Sequence, residues 1–266
     1  MRLFRQYLEH NDCFRAGRVL KPVGVMVHST GANNPLISRY VPGDDEIGRN
    51  TAGNHWDQSN AEWRDQFGVP LNKCVHAFVG KLADGGVGTV QTLPWGIRGW
   101  HAGKSGGNDG YIGFEICEDS LEDPNYFEKV YCEAVELTAM LCRKFDLDPL
   151  KQNVVICHAE GFRIGVASNH GDVMHWFSRF GKDMDDFRAD VARELERGEE
   201  MTQEQFDAML ENWLKRRGEM PAAEWAVLRL TEAVKRGVTD GTRPQSFATR
   251  QEVALMVSAA ISEWRE

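Results

Sequence analysis

Hydrophobic and polar positions divide this chain into strands first and helices later. KPVGVMVHST, residues 21–30, opens on a proline and then alternates around valines with no charge until His28. That pattern predicts a buried strand ending at His28 and running into a polar loop. Residues 31–72 are rich in Gly, Asn, Pro and Asp and predict long connections, with one short helix near NAEWRDQF, residues 60–67. KCVHAFVGK and GVGTVQTLP flank LADGG, two β-type runs about a glycine-rich turn, and predict a hairpin. GYIGFEICED is a further apolar strand. YFEKVYCEAVELTAMLCRKFDL, residues 126–147, places apolar residues at helical spacing and is the clearest helix of the chain. NVVICH predicts a short buried strand ending at His158, and MDDFRADVARELERG a second helix.

This order gives a mixed α/β domain over residues 1–198. LERGEEMTQEQ then reads as a charged linker, with Thr202 as a cap. Residues 203–217, 222–236 and 249–263 predict three amphipathic helices, a small all-α domain over 199–266. Charge follows the same division. Of the net −9, residues 1–200 carry −8 and residues 201–266 carry −1. A nucleic-acid partner held by a basic field is not expected. No apolar run reaches the ~18 residues of a membrane helix, so membrane insertion is not expected either. MRLFRQYLEHNDCF has no apolar core behind its arginine, so synthesis in the cytoplasm without a signal peptide is expected. The six cysteines form no CxxC pair and read as small core residues of a reduced protein.

The chemistry concentrates at strand ends. His28 and His158 each close a predicted strand, and Asp172 follows His158 by 14 residues within one loop. A His–His–Asp set with an open fourth position suits a catalytic zinc. Glu115, in the strand IGFE, is the candidate general base. Each has a plainer reading: core histidines for His28 and His158, a surface ion pair for Glu115, a turn cap for Asp172. His170 is an alternative third ligand. His175 and Trp176 are expected to pack beneath the loop, and His10 and His55 carry no signal.

VGVMVHST, VHAFVG…GTVQTLP, GWHAG, IGFEICED, and CH followed by NHGDVMHW together resemble the zinc-dependent N-acetylmuramoyl-L-alanine amidases of type 2, relatives of peptidoglycan recognition proteins and phage lysozyme-type amidases. The resemblance spans roughly residues 20–190 and implies a mixed central sheet flanked by helices. It implies that zinc is held by His28, His158 and Asp172. The expected reaction is hydrolysis of the amide between N-acetylmuramic acid and L-alanine in bacterial peptidoglycan, with Glu115 moving the proton. His170 stands where the family has lysine two residues before its third ligand, so it is expected to stabilise the oxyanion. His76 matches a recurrent position beside the zinc cleft, with a structural or a substrate-lining role, and Trp100 and His101 match the groove wall and are expected to contact glycan or peptide. The stretch GFRIGVAS makes the gap before NHGD longer than the family's.

WAVLRLTEAVKRGVTDGTRPQSFATRQEVALMV is similar to a single S-layer-homology module, with Thr249 and Glu252 as a capping box. This implies wall binding, or else a helical appendage that packs on the first domain or forms a homodimer. The whole reads as a phage or prophage endolysin released by a holin or by lysis. The alternatives are a non-catalytic peptidoglycan binder and a cytoplasmic amidase that recycles wall fragments.

Overall fold

The structure is a computed structural model that describes residues 1–60, 72–197 and 203–262. The chain divides into two compact units, Met1–Glu199 and Glu200–Glu266. The first unit is a mixed α/β fold. Its strands are β1 (Leu3–Arg5), β2 (Gly24–Ser29), β3 (Ala77–Lys81), β4 (Val87–Gln91), β5 (Tyr111–Ile116) and β6 (Val155–Cys157). Its helices are α1 (Asp12–Ala16), α2 (Ser105–Gly110), α3 (Pro124–Phe145), α4 (His158–Arg163), α5 (Met174–Phe177) and α6 (Met184–Arg197).

The strands form one sheet in the order β1-β4-β3-β5-β2-β6. The β3–β4 hairpin is antiparallel and every other neighbouring pair is parallel. Alternation along the central strands sorts the two faces. Val25, Val27, Ile112, Phe114, Ile116, Val155 and Cys157 point to one side and form the main core with α3. Each fully buried aliphatic or aromatic side chain there contributes about 1.5–3 kcal/mol. Helix α3 starts where Asp123 accepts from the amides of Asn125 and Tyr126, with Pro124 in the first turn. It stops at Asp146, which adopts a left-handed conformation at φ 53°. Helix α6 packs alongside, with Tyr131, Phe177 and Phe187 meeting edge to face or tilted. The other face of β2 and β5 carries Met26, Gly113, His28 and Glu115, and this is where the chemistry lies.

Several short elements escape pattern reading. β1, α1 and α2 are too short to show a period. His158 does not end a strand: β6 stops at Cys157 and His158 is the first residue of α4. The NAEWRDQF helix falls outside the described residues apart from Asn60, as does the Thr202 cap. Five cysteines are buried, but Cys132 is exposed on α3, so it is not the core residue expected.

The second unit contains α7 (Gln203–Glu219), α8 (Val227–Lys235) and α9 (Arg250–Ser262). The capping box at α9 is formed: the Thr249 hydroxyl accepts from the Glu252 amide at 3.2 Å, and the Glu252 carboxylate accepts from the Thr249 amide at 2.7 Å. No described residue of this unit is buried. Among the described residues of the chain, no helix is long and apolar enough to cross a membrane.

Candidate metal centre and catalytic cleft

Parallel pairing of β2 with β5 sets His28 directly beside Glu115. Both side chains leave the sheet on the face opposite α3 and enter a cleft of about 620 Å³. His158 arrives from the next strand over, because β6 pairs with β2 and hands the chain to α4. The start of α4 is held firmly. Glu160 accepts from the Cys157 amide at 3.1 Å, and Arg188 of α6 bridges Glu160 and the Val155 carbonyl at 3.0 and 2.9 Å. The loop after α4 then returns Asp172 to the same point.

Hydrogen bonding decides which atoms face inward. His101 Nε2 lies 3.1 Å from the Tyr111 carbonyl and must carry the proton there. His101 Nδ1 is therefore an acceptor, and it receives His28 Nε2–H at 2.9 Å. That leaves His28 Nδ1 pointing at Asp172 Oδ2, 3.2 Å away, and at His158 Nδ1, 3.0 Å away. His158 Nδ1 is itself 3.7 Å from Asp172 Oδ2. The three ligand atoms lie within 4.8 Å of one another.

Three lone pairs converging in a buried place repel unless a cation lies among them. Without metal that cation is one proton. Burial opposes charge on His28, but the Asp172 hydrogen bond and the charges of Glu115 and Asp172 outweigh it and raise its pKa. Burial and the His28 charge hold His158 down at about 4. Asp172 is lowered: burial works against it, but its bond to His28 and the charges of both histidines prevail. One shared proton therefore satisfies two imidazoles and a carboxylate, a donor set of the kind that binds divalent ions. Zinc fits this donor set, and His28, His158 and Asp172 would hold it.

Glu115 is half-buried, and its Oε2 is sealed from solvent with no hydrogen-bond partner among the described residues. Burial pushes its carboxyl up to about 7; His28 pulls it down, while Asp172 and Glu118 push it further up. A carboxylate balanced near neutrality is suited to taking and returning a proton.

The remaining candidates separate. His170 is exposed beside the centre, its ring 4.7 Å from that of His158 and its Nδ1 3.0 Å from Ser168 Oγ. Trp100 lines the cleft wall. His101 also reaches the cleft, but both its nitrogens are spent, on His28 and on Tyr111, so it orients a ligand rather than offering a free polar group to substrate. His76 is a correction. It is fully buried; Nε2 donates to the Ile97 carbonyl at 2.8 Å and Nδ1 accepts from the Gly113 amide at 3.1 Å. Burial depresses its pKa to about 4, and it cannot contact substrate. His175 is a second correction. Trp176 is buried as expected, but His175 is exposed, lines the cleft and sets Nε2 2.9 Å from Glu118 Oε1.

Some participants were not foreseen. Asn108 of α2 accepts from the amides of His101 and Ala102 at 2.8 and 2.9 Å and fixes the loop that carries His101. Gly113 leaves space for the His101 ring, which a Cβ there would meet at 2.4 Å. Ser168 sits between His158 Nε2 and His170 Nδ1, 3.2 and 3.0 Å away. It ends the GFRIGVAS stretch, so the residues that lengthen that loop also steady His158. Lys73 and Trp56 line the far wall.

The sequence pattern of Amidase_2, described as N-acetylmuramoyl-L-alanine amidase, matches residues 18–174, a span that holds every one of these candidates from His28 to Asp172. The chain belongs to this amidase family. Among solved structures, it resembles the Staphylococcus aureus hydrolase AmiA, in a crystal structure with its ligand: TM-score 0.53, 18% identity, covering 73% of this chain and 83% of that one. A mutant endolysin from Bacillus subtilis matches with TM-score 0.44 and 20% identity over 72% of this chain and 99% of its own. At such identities the likeness is one of fold: the AmiA match supports a shared mixed α/β fold. No curated protein matches the chain.

Proposed function

We propose that this family member is a zinc-dependent N-acetylmuramoyl-L-alanine amidase, cleaving the lactyl–alanine amide of peptidoglycan. The observation that carries this is the convergence of His28 Nδ1, His158 Nδ1 and one Asp172 oxygen beside a base whose buried Oε2 has no hydrogen-bond partner among the described residues. When bound, zinc supplies Lewis acidity, polarising the scissile carbonyl and bringing the pKa of a water toward 7. Glu115 takes the proton of the attacking water. It then passes that proton to the alanine nitrogen as the C–N bond breaks, so that the carboxylate is regenerated. His170 faces the developing oxyanion as a cation or as a hydrogen-bond donor. Trp100 forms a wall on which the glycan or peptide rests. His101 keeps the His28 tautomer that leaves Nδ1 free.

The unit from Glu200 onward is a wall-binding module in this reading, as its likeness to an S-layer-homology module suggests, and the whole acts as an endolysin. Leu228 of α8, Leu255 of α9 and Trp225 just before α8 are exposed apolar residues, which also suit a homodimer contact. Digestion of purified sacculi with and without chelator, followed by mass spectrometry, tests the reaction. New L-alanine amino termini that vanish with chelator are expected. New reducing sugar ends would refute it.

A further inference from the structure

The cleft is poor in positive charge for a site meant to hold an acidic polymer. Glu115, Asp172 and Glu118 all lie in or against it, and the first 200 residues carry a net −8. Among the described cleft-lining residues there is one lysine or arginine, Lys73. Its ammonium rests 4.6 Å from the centre of the Trp56 ring, a cation–π seat. Trp56 is itself wedged edge-on against Phe78 and Tyr40, at 5.0 and 5.9 Å. The backbones of the two residues are tied by one side chain: the buried amide of Asn11 donates to the Trp56 carbonyl at 2.9 Å and to the Lys73 carbonyl at 3.0 Å.

Lys73 is exposed at the cleft, and among the described residues no carboxylate lies within ion-pair distance of it. Partial burial and the nearby charge of Arg39 hold its ammonium below the usual lysine range, while the charge of Glu115 pulls it back up. A cation held in place at the cleft, with no carboxylate paired to it among the described residues, is an arrangement for meeting an anion from outside.

We propose that Lys73, seated on Trp56, is the carboxylate-recognition element of the cleft, and that it selects muramyl peptides whose residue after L-alanine carries a free α-carboxylate. One residue of extended peptide spans about 3.5 Å, so that carboxylate is the peptide's first charge beyond the scissile amide. The proposal rests on the amidase reading of the same cleft.

The test uses the full chain equilibrated with zinc and two muramyl tripeptides. These differ only in whether the α-carboxyl of the second residue is free or amidated. Wild type is expected to favour the free acid in kcat/KM by about tenfold, mostly through KM, as one charge-assisted contact supplies. In Lys73→Met the ratio falls to near one, and in Lys73→Arg it is retained. Equal rates for the two compounds in wild type, or a preference that survives Lys73→Met, overturn the proposal. If wild type cleaves neither compound, the amidase reading fails, and calorimetry with the same pair still decides this one. Tighter binding of the free acid by wild type, lost in Lys73→Met, upholds it; equal affinities overturn it.

Discussion

Glu115 offers the sharpest check on the physical picture, because one substitution separates its acid–base role from its burial. In the metal-free protein its carboxyl titrates at about 7 instead of 4.5, chiefly through burial. The native state therefore holds that proton more tightly than the unfolded chain does. The associated stability is fully present below pH 4.5 and is lost as pH rises through 7. At about 1.4 kcal/mol per pH unit of displacement the loss amounts to about 3 kcal/mol. Glu115→Gln keeps the shape and cannot ionise, so it escapes the loss. Any cost of the buried amide is common to both pH values and cancels. Urea unfolding of chelator-treated wild type and variant, followed by tryptophan fluorescence at pH 5 and pH 8, measures the difference. Relative to wild type, the variant's midpoint should move up by roughly 1 M between the two pH values, given a slope of about 2–3 kcal/mol per M. Some of this is trimmed, because His28 owes part of its raised pKa to Glu115. The same variant should retain zinc yet lose hydrolysis by about 10²–10⁴-fold. A stability difference that does not change with pH would refute the burial argument, and retained hydrolysis would remove Glu115 from the chemistry.

Asp172→Ala should abolish tight zinc binding, read by metal content after dialysis; a stoichiometric zinc in the variant would point to His170 as the third ligand. His101→Phe should weaken zinc affinity about 10–100-fold without touching a ligand, since it releases His28 from the required tautomer, and calorimetric titration with zinc checks this. Gly113→Ala should do much the same, because its Cβ would displace the His101 ring from 2.4 Å; unchanged affinity would show that the ring can shift freely. His170→Ala should lower kcat by about 10²-fold, as the loss of one oxyanion donor does, and His170→Lys should restore most of it; full activity in His170→Ala would count against His170 as the oxyanion partner.

Much of the centre is visible along the chain because its residues sit where strand patterns end. A buried strand leaves little freedom for its last side chain, so His28 and Glu115 stand out as polar groups closing apolar runs. The long helix α3, the hairpin and the capping box at Thr249 are legible for the same reason: each is decided by contacts between residues near in sequence. His76 shows the limit of this reading. It too sits beside an apolar strand, and nothing along the chain distinguishes a histidine facing a cleft from one latched to the Ile97 carbonyl and the Gly113 amide. His175 differs the other way: it stands exposed at the cleft, with Nε2 2.9 Å from Glu118 Oε1, which no local pattern announces.

By itself, then, the order of residues determined the fold class and singled out the candidate groups for binding a metal and moving a proton, because those follow from local periodicity and side-chain chemistry. Which nitrogen of His28 faces the centre was decided by tertiary structure, through a chain of hydrogen bonds from Tyr111 to His101 to His28 that joins three separate segments. So were the roughly neutral pKa of Glu115, which needs burial beside charges from other strands and loops, and the placing of Lys73 on Trp56, which needs Asn11 to hold two distant backbones together. These are properties of distance and dielectric, and they arise only once the chain has closed on itself.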